Sequence, residues 1–218
     1  LAGAEESVRR LSRMSDDLVD DVRIREGRLT LQPELCDLGA IVHAAVEEQR
    51  ALAPHRIIHL AVPVTLSVPV RADAERIAQV VTNYLTNALK YSKEDQPVVV
   101  RLEVKAAGEG ADKSVVGRAM GEGAGGAAEV SVHDEGIGVP LAAHQQVWER
   151  FSVVAGAAVQ SGSSIGLGLG LHISKAIIEA HHGQVGLDSA PGQGATFWFT
   201  LPLALPTALA TASSPGAG

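Results

Sequence analysis

The sequence predicts an α/β domain with one extra helix at its N-terminal end, on three observations. The chain has 218 residues, which suits one full-sized domain plus an additional element. Segments with helical spacing of apolar residues alternate with short valine-rich runs. A glycine-rich turn from Gly162 to His172, GSSIGLGLGLH, feeds directly into one of those helices. In it Gly166, Gly168 and Gly170 alternate with Leu167, Leu169 and Leu171. Glycine lets a backbone approach a ligand closely. A helix start leaves N–H groups unpaired, and together with the helix dipole they favour an anion. The stretch reads as a phosphate cradle; a flexible loop before a helix has the same composition.

Composition narrows the function classes. The net charge is -7 and no basic run is interleaved with aromatics, which argues against a nucleic-acid partner. The single Cys36 cannot form an internal disulfide and fits a reducing compartment. No run of ~18 apolar residues is present, so no membrane span is expected, and no signal-peptide pattern is seen. The first residue is Leu1 and not Met, so the chain is expected to be a fragment or a processed product. The expected location is cytoplasmic.

Each element has a local reason. Residues Glu5 to Arg25 are helical, with Val8, Leu11, Met14, Leu18 and Val22 spaced three and four apart and Asp16, Asp17, Asp20 and Asp21 largely on other faces. That narrow stripe wants either a partner helix from another molecule or the chain's own main domain. Gly27 ends the helix and a strand is expected over Leu29 to Gln32. Asp37 caps a helix to about Arg50, and Ile57 to Ala61 and Thr65 to Val68 read as strands around Pro63. Asp73 caps a helix to about Leu89, buried through Ile77, Val80, Val81, Tyr84, Leu85, Ala88 and Leu89. On another stripe of it sit Asn83, Asn87 and Lys90 at i, i+4 and i+7, pointing the same way. Asparagine is a poor helix former, and a plain solvated face prefers Glu, Lys and Gln. Two amide oxygens and an ammonium aimed at a metal-bound phosphate is the sharper reading.

Pro97 to Lys105 and Glu129 to His133 are partner strands, joined by a Gly-rich stretch, Ala106 to Ala127. Gly121, Gly123 and Gly126 match GxGxxG spacing there, but no strand enters and no helix leaves, so no dinucleotide site is assigned. The second strand ends in Asp134-Glu135-Gly136-Ile137-Gly138, a carboxylate beside a tight turn. A short helix holds Trp148 to Phe151, and Ser152 to Ser164 is small, polar and suited to a mobile lid. The helix after the cradle runs to about Ala180, with Ile173, Ala176, Ile177 and Ala180 inward and Gly183 stopping it. Gln184 to Ser189 and Thr196 to Leu201 form a closing hairpin, and Ala204 to Gly218 is expected to be disordered.

Five segments, NYLTNALKYS (Asn83–Ser92), DEGIG (Asp134–Gly138), WERF (Trp148–Phe151), GLGLGL (Gly166–Leu171) and GQGATF (Gly192–Phe197), occur in an order that resembles the ATP-binding catalytic domain of sensor histidine kinases. The resemblance covers about Leu35 to Pro202. It implies a Bergerat ATPase fold, a two-layer sandwich with a mixed sheet and helices on one face, preceded by one long helix. The first helix resembles the second helix of that family's dimerisation and histidine-phosphotransfer hairpin. The implied domains are a hairpin remnant over 1–30, an ATP-binding domain over 35–202 with an insertion at 106–127 and a lid at 152–164, and a tail at 203–218. No Walker GxxxxGK[ST] is present.

The resemblance also implies the ligands, ATP and Mg²⁺. Asn87 would hold Mg²⁺ through its amide oxygen, a neutral ligand that suits magnesium. Asn83 and Lys90 would contact phosphates and Tyr91 would pack on the adenine. Asp134 would accept from the adenine amine, beside Gly136 and Gly138. Gly166, Gly168 and Gly170, with Leu171, would let the lid close on the phosphates, and Gly192, Gly194 and Thr196 would line the pocket floor. The family's phosphate acceptor is a histidine on the first hairpin helix, and none of the eight histidines has that context. His181 and His182 lack any metal-ligand spacing. No basic residue follows Phe151 in the lid, so transition-state charge would fall to Mg²⁺, Lys90, Arg150, backbone N–H groups or a partner subunit. Expected partners are a response-regulator receiver domain and a second copy, through the N-terminal helix when the hairpin is complete. The competing reading is a nucleotide-binding regulatory module without phosphotransfer.

Overall fold

The computed structural model describes residues 2–62, 67–105, 126–152 and 167–204. Among the described residues four α-helices, α1 (Ala2–Arg25), α2 (Leu38–Leu52), α3 (Ala74–Tyr91) and α4 (Gly170–Ala180), are placed among seven strands. These are β1 (Glu34–Asp37), β2 (Ile58–Ala61), β3 (Pro69–Ala72), β4 (Val98–Lys105), β5 (Ala127–Asp134), β6 (Gln184–Ser189) and β7 (Ala195–Pro202). The main sheet has the order β2-β4-β5-β7-β6, and β1 pairs with β3 in a two-stranded sheet. β2 runs parallel to β4 and the other neighbours are antiparallel, so the sheet is mixed. A parallel pair needs a crossover, and α3 lies in that connection.

α2, α3 and α4 pack side by side on one face of the sheet. Strand alternation supplies their counterpart: Val98, Val100 and Leu102 on β4, Ala128, Val130 and Val132 on β5, and Phe197, Phe199 and Leu201 on β7 are buried. Tyr84 of α3 is at the centre, with ring centroids 5.7 Å from Phe197, 6.0 Å from Phe199 and 6.5 Å from Trp148. The expected inward face of α3 is buried, with Leu89 partly so.

Both helix caps are where the sequence put them. Asp37 accepts from the Gly39 N–H at 2.9 Å and from the Val68 N–H at 3.2 Å. Burial pushes that carboxyl up, but these backbone N–H donors hold it below the usual carboxylate range. Asp73 accepts from Arg76 N–H at 3.2 Å and from Gln32 N–H at 2.9 Å.

Several expectations shift. No strand forms over Leu29 to Gln32; Gln32 is tied to Asp73 through its N–H, and β1 begins after Pro33 because its partner β3 sets the register, Glu34 opposite Ala72. The strand expected at Thr65 to Val68 lies at Pro69–Ala72, while residues 63–66 fall outside the described residues. The left-handed residue after α4 is His182 (φ 62) and not Gly183. Gly183 is required for a different reason: a Cβ there would sit 2.0 Å from the Thr200 carbonyl oxygen. At the boundary of the expected tail, Leu203 N–H bonds to Gly126 and Ala204 N–H to Pro69. The lid residues after Ser152, the insertion 106–125 and the tail 205–218 lie outside the described residues.

α1 docks on the α4 side of the domain through its polar face. Asp20 and Asp21 are buried, while Val8, Leu11, Leu18 and Val22 are 46–66% exposed. Asp20 accepts from Arg76 at 2.6 Å and from Gln79 at 3.1 Å, both on α3. Asp21 takes a two-point contact from the Arg150 guanidinium. Among the described residues no helix is long and apolar enough to cross a membrane.

Candidate functional site

A groove of about 1390 Å³ runs between α3, the start of α4 and the ends of β5 and β7, and continues to the acidic side of α1. It is larger than the ~300–1,000 Å³ usual for small-molecule sites because it is open along one side. Its floor is the polar stripe of α3. Asn83, Asn87, Lys90 and Tyr91 all line it, and the same stripe extends one and two turns back through Gln79 and Arg76. The helical period brings these together, so the spacing seen in the sequence is kept in space.

Opposite that stripe α4 begins at Gly170 without any side-chain cap. Among the described residues no side chain caps its first N–H groups, an arrangement that favours an anion. Gly168, Gly170 and Leu171 line the groove, while Gly166 falls outside the described residues. Gly168 adopts φ 69, and a Cβ on it would meet the backbone of Phe151 and Ser152 at 2.8 Å. Only glycine allows that chain crossing. Asn83 joins the two walls: its Nδ2 donates to the Gly170 carbonyl at 3.2 Å and to Ser174 Oγ at 3.3 Å. Lys90 lies over the Tyr91 ring with Nζ 4.7 Å from its centroid.

Asp134 closes the inner end. It is 3% exposed, and its Oδ1 accepts from the Gly136 N–H at 2.8 Å. Burial pushes its carboxyl above the usual range, against the opposing pull of the Gly136 N–H, His133 and the Ala195 N–H. Gly138 (φ 68) beside it leaves no room for a side chain, since a Cβ would lie 2.0 Å from the Ala190 oxygen. Ile137, Val139 and Leu167 add apolar wall. A buried carboxylate set among apolar side chains can recognise one edge of a flat heterocycle carrying an amine.

Five residues considered for the site, Gly136, Gly192, Gly194, Thr196 and Arg150, do not line the groove. Thr196 is on the outer face of the sheet, its Oγ1 2.9 Å from His133 Nδ1, and the β7 residues that line the groove are its neighbours Ala195 and Phe197. Strand alternation turns successive side chains to opposite faces. Arg150, considered for charge neutralisation, does not line the groove but faces Asp21. His181 is buried and its Nε2 accepts from the Asp73 N–H at 2.9 Å, a structural tie between α4 and α3.

A magnesium ion fits the donor chemistry here. Asn83 and Asn87 offer neutral amide oxygens one turn apart, beside a helix start that favours phosphate, and Mg²⁺ takes few protein ligands when phosphates share it. Ser174, Gln79 and Arg76 escaped sequence reading; the last two continue the 76-79-83-87-90 helical stripe and were recoverable from it, while Ser174 is linked only through the α3–α4 contact.

Residues 72–205 match the family described as histidine kinase-, DNA gyrase B- and HSP90-like ATPases. The virulence sensor protein BvgS of Bordetella bronchiseptica is 32% identical over 98% of this chain and 16% of its own length. The sensor histidine kinase AruS of Pseudomonas aeruginosa is 36% identical over 67% of the chain and 13% of its own length. The chain thus spans a small part of these relatives. Among solved structures, full-length ShkA in complex with AMPPNP superposes with a TM-score of 0.70 at 27% identity, over 95% of this chain and 39% of that one. The mycobacterial sensor histidine kinase MprB superposes with a TM-score of 0.59 at 26% identity, over 79% and 98%. With more than half of its length matched and relatives that are named sensor histidine kinases, this chain belongs to the histidine kinase-, DNA gyrase B- and HSP90-like ATPase family.

Proposed function

We propose that this chain binds Mg-ATP in the α3–α4 groove and donates the γ-phosphate to a histidine on a dimerisation helix, for relay to an aspartate of a response-regulator receiver domain in the cytoplasm. The observation that carries the reading is the facing of Asn83, Asn87 and Lys90 on α3 against the uncapped start of α4, with buried Asp134 at the inner end. Phosphoryl transfer asks for positioning and charge neutralisation more than covalent chemistry. Asn87 and Asn83 hold the metal side, Lys90 and the α4 N–H groups meet phosphate oxygens, and Asp134 accepts from the base. Magnesium, when bound, supplies neutralisation across the phosphate oxygens. The outward stripe of α1, Val8, Leu11, Leu18 and Val22, is the surface for the rest of the helical hairpin and a second copy. By this reading residues 1–30 belong to that hairpin and 35–202 to the ATP-binding domain.

Titration calorimetry with a non-hydrolysable ATP analogue tests the site. Asn87→Ala and Asp134→Asn should each weaken Mg-nucleotide binding at least ~10-fold; unchanged affinity in both would sink the assignment. Transfer is tested by adding a separate protein that carries the acceptor helix. It should gain acid-labile, alkali-stable label with Mg-ATP, at a rate that rises with its concentration because covalent linkage is lost. A second reading, a regulatory nucleotide-binding module, is favoured by one observation: Arg76 and Arg150 are both engaged by α1 aspartates, which leaves Lys90 to meet the phosphates. Binding without transfer to a complete hairpin would select it.

A further inference from the structure

We propose that Ser174 is a positioning residue of the nucleotide groove, fixing the Asn83 amide so that only its oxygen meets the ligand. The inference rests on the nucleotide reading above. The Gly170 carbonyl is an acceptor only, so the group of Asn83 that touches it at 3.2 Å is the amide nitrogen. A primary amide has two N–H hydrogens. The second points to Ser174 Oγ at 3.3 Å. Both donors of Asn83 are thereby engaged inside the protein, and Oδ1 is the atom left for the groove that Asn83 lines.

This orientation has a chemical consequence. A phosphate oxygen is an acceptor and gains nothing from a second acceptor. A divalent cation, or a water in its shell, is matched by a neutral amide oxygen. Asn83 then serves the metal side of the ligand and is not a direct phosphate donor, which revises the role implied by the sequence resemblance. Gly170 and Ser174 are four residues apart on α4, so both anchors stack on the face that meets α3. Ser174 is fully buried, and its hydroxyl therefore acts through Asn83 and not by touching ligand. A Cβ on residue 170 would lie 3.4 Å from the Asn83 amide carbon, an ordinary packing distance that places the amide against the start of α4.

Without the serine hydroxyl one Asn83 N–H is unsatisfied and the amide keeps only its tie to the Gly170 carbonyl, so Oδ1 is held less firmly toward the groove. Ser174→Ala should therefore lose metal-dependent affinity. Binding of a non-hydrolysable ATP analogue is measured with Mg²⁺ and again in a chelator. The enhancement by Mg²⁺ should fall about 10-fold, the scale on which partners of metal ligands act, while affinity in the chelator stays within twofold. Ser174→Thr and Ser174→Val form a near-isosteric pair that differs in the hydroxyl. The Thr variant should keep the wild-type metal enhancement and the Val variant should lose it, which holds the test open if the alanine protein does not fold. Equal weakening with and without metal would mean that Ser174 only packs, and the proposal falls. Unchanged metal enhancement in Ala and Val overturns it too. No nucleotide binding by the wild-type chain overturns the nucleotide reading itself, a pattern distinct from both.

Discussion

The two long helices of this chain bury opposite kinds of surface. α3 turns Ile77, Val80, Val81, Tyr84 and Leu85 to the sheet and leaves its polar stripe to the groove. α1 turns Asp20 and Asp21 inward, against Arg76, Gln79 and Arg150, and leaves its apolar stripe in water. The contrast separates two jobs. Apolar burial stabilises at about 25 cal/mol per Å² and fixes α3 as part of the core. A buried ion pair must recover a desolvation cost of several kcal/mol per ion, so its net contribution is small even though breaking it is costly. α3 is therefore an integral wall of the site, and α1 is attached mainly by buried ion pairs, with Ile24 as its apolar contact with the core.

The largest effect should come from α3. Leu85 is fully buried, so Leu85→Ala removes its transfer energy and leaves a cavity, at a cost of about 2–5 kcal/mol. Chemical denaturation should show the whole domain losing stability cooperatively. A loss under ~1 kcal/mol would mean that α3 is not core.

A smaller and local effect is expected in α1. Asp21→Asn keeps the shape but leaves the Arg150 guanidinium without its carboxylate. Arg150 is one-third exposed and can turn to water, so about 1–2 kcal/mol is expected, below the figure for a fully buried pair. Amide exchange should quicken over residues 14–25 while the sheet strands keep their protection. Equal loosening of the sheet would show that α1 belongs to the same cooperative unit as α3.

How much of this contrast the sequence disclosed follows from which contacts are local. The α3 faces were legible because a 3.6-residue period acts within one helix, and the Asp37 and Asp73 caps because a cap acts over three residues. The burial of Asp20 and Asp21 on α1 was not legible, since their arginine partners lie 56 and 129 residues away in sequence. β1 was misplaced because its limits are set by pairing with β3 and not by its own composition. Thr196 was assigned from a motif, and one step along a strand exchanges the groove face for the outer face. Ser174 looks like any small helical residue until α3 and α4 are brought into contact.

The smallest effect tests the one flaw in the apolar face of α3. Tyr84 is fully buried, and its hydroxyl has no hydrogen-bond partner among the described residues. Burial pushes its ionisation far above the ordinary phenol range, so the ring is neutral at any working pH and the hydroxyl is a plain polar group held from water. Asp20 and Asp21 of α1 are buried too, yet each has a partner. An unmade hydrogen bond costs about 1–3 kcal/mol of desolvation, while the ring's contacts with Phe197 and Phe199 do not depend on the hydroxyl. Tyr84→Phe deletes the cost and keeps the ring, at the expense of a void about the size of one oxygen. The two terms leave a net gain of up to ~1 kcal/mol, read as a raised denaturation midpoint with unchanged slope. Destabilisation by ~1 kcal/mol or more would mean that the hydroxyl is satisfied, by an ordered water or by another part of the chain, and that α3 depends on a polar contact as α1 does.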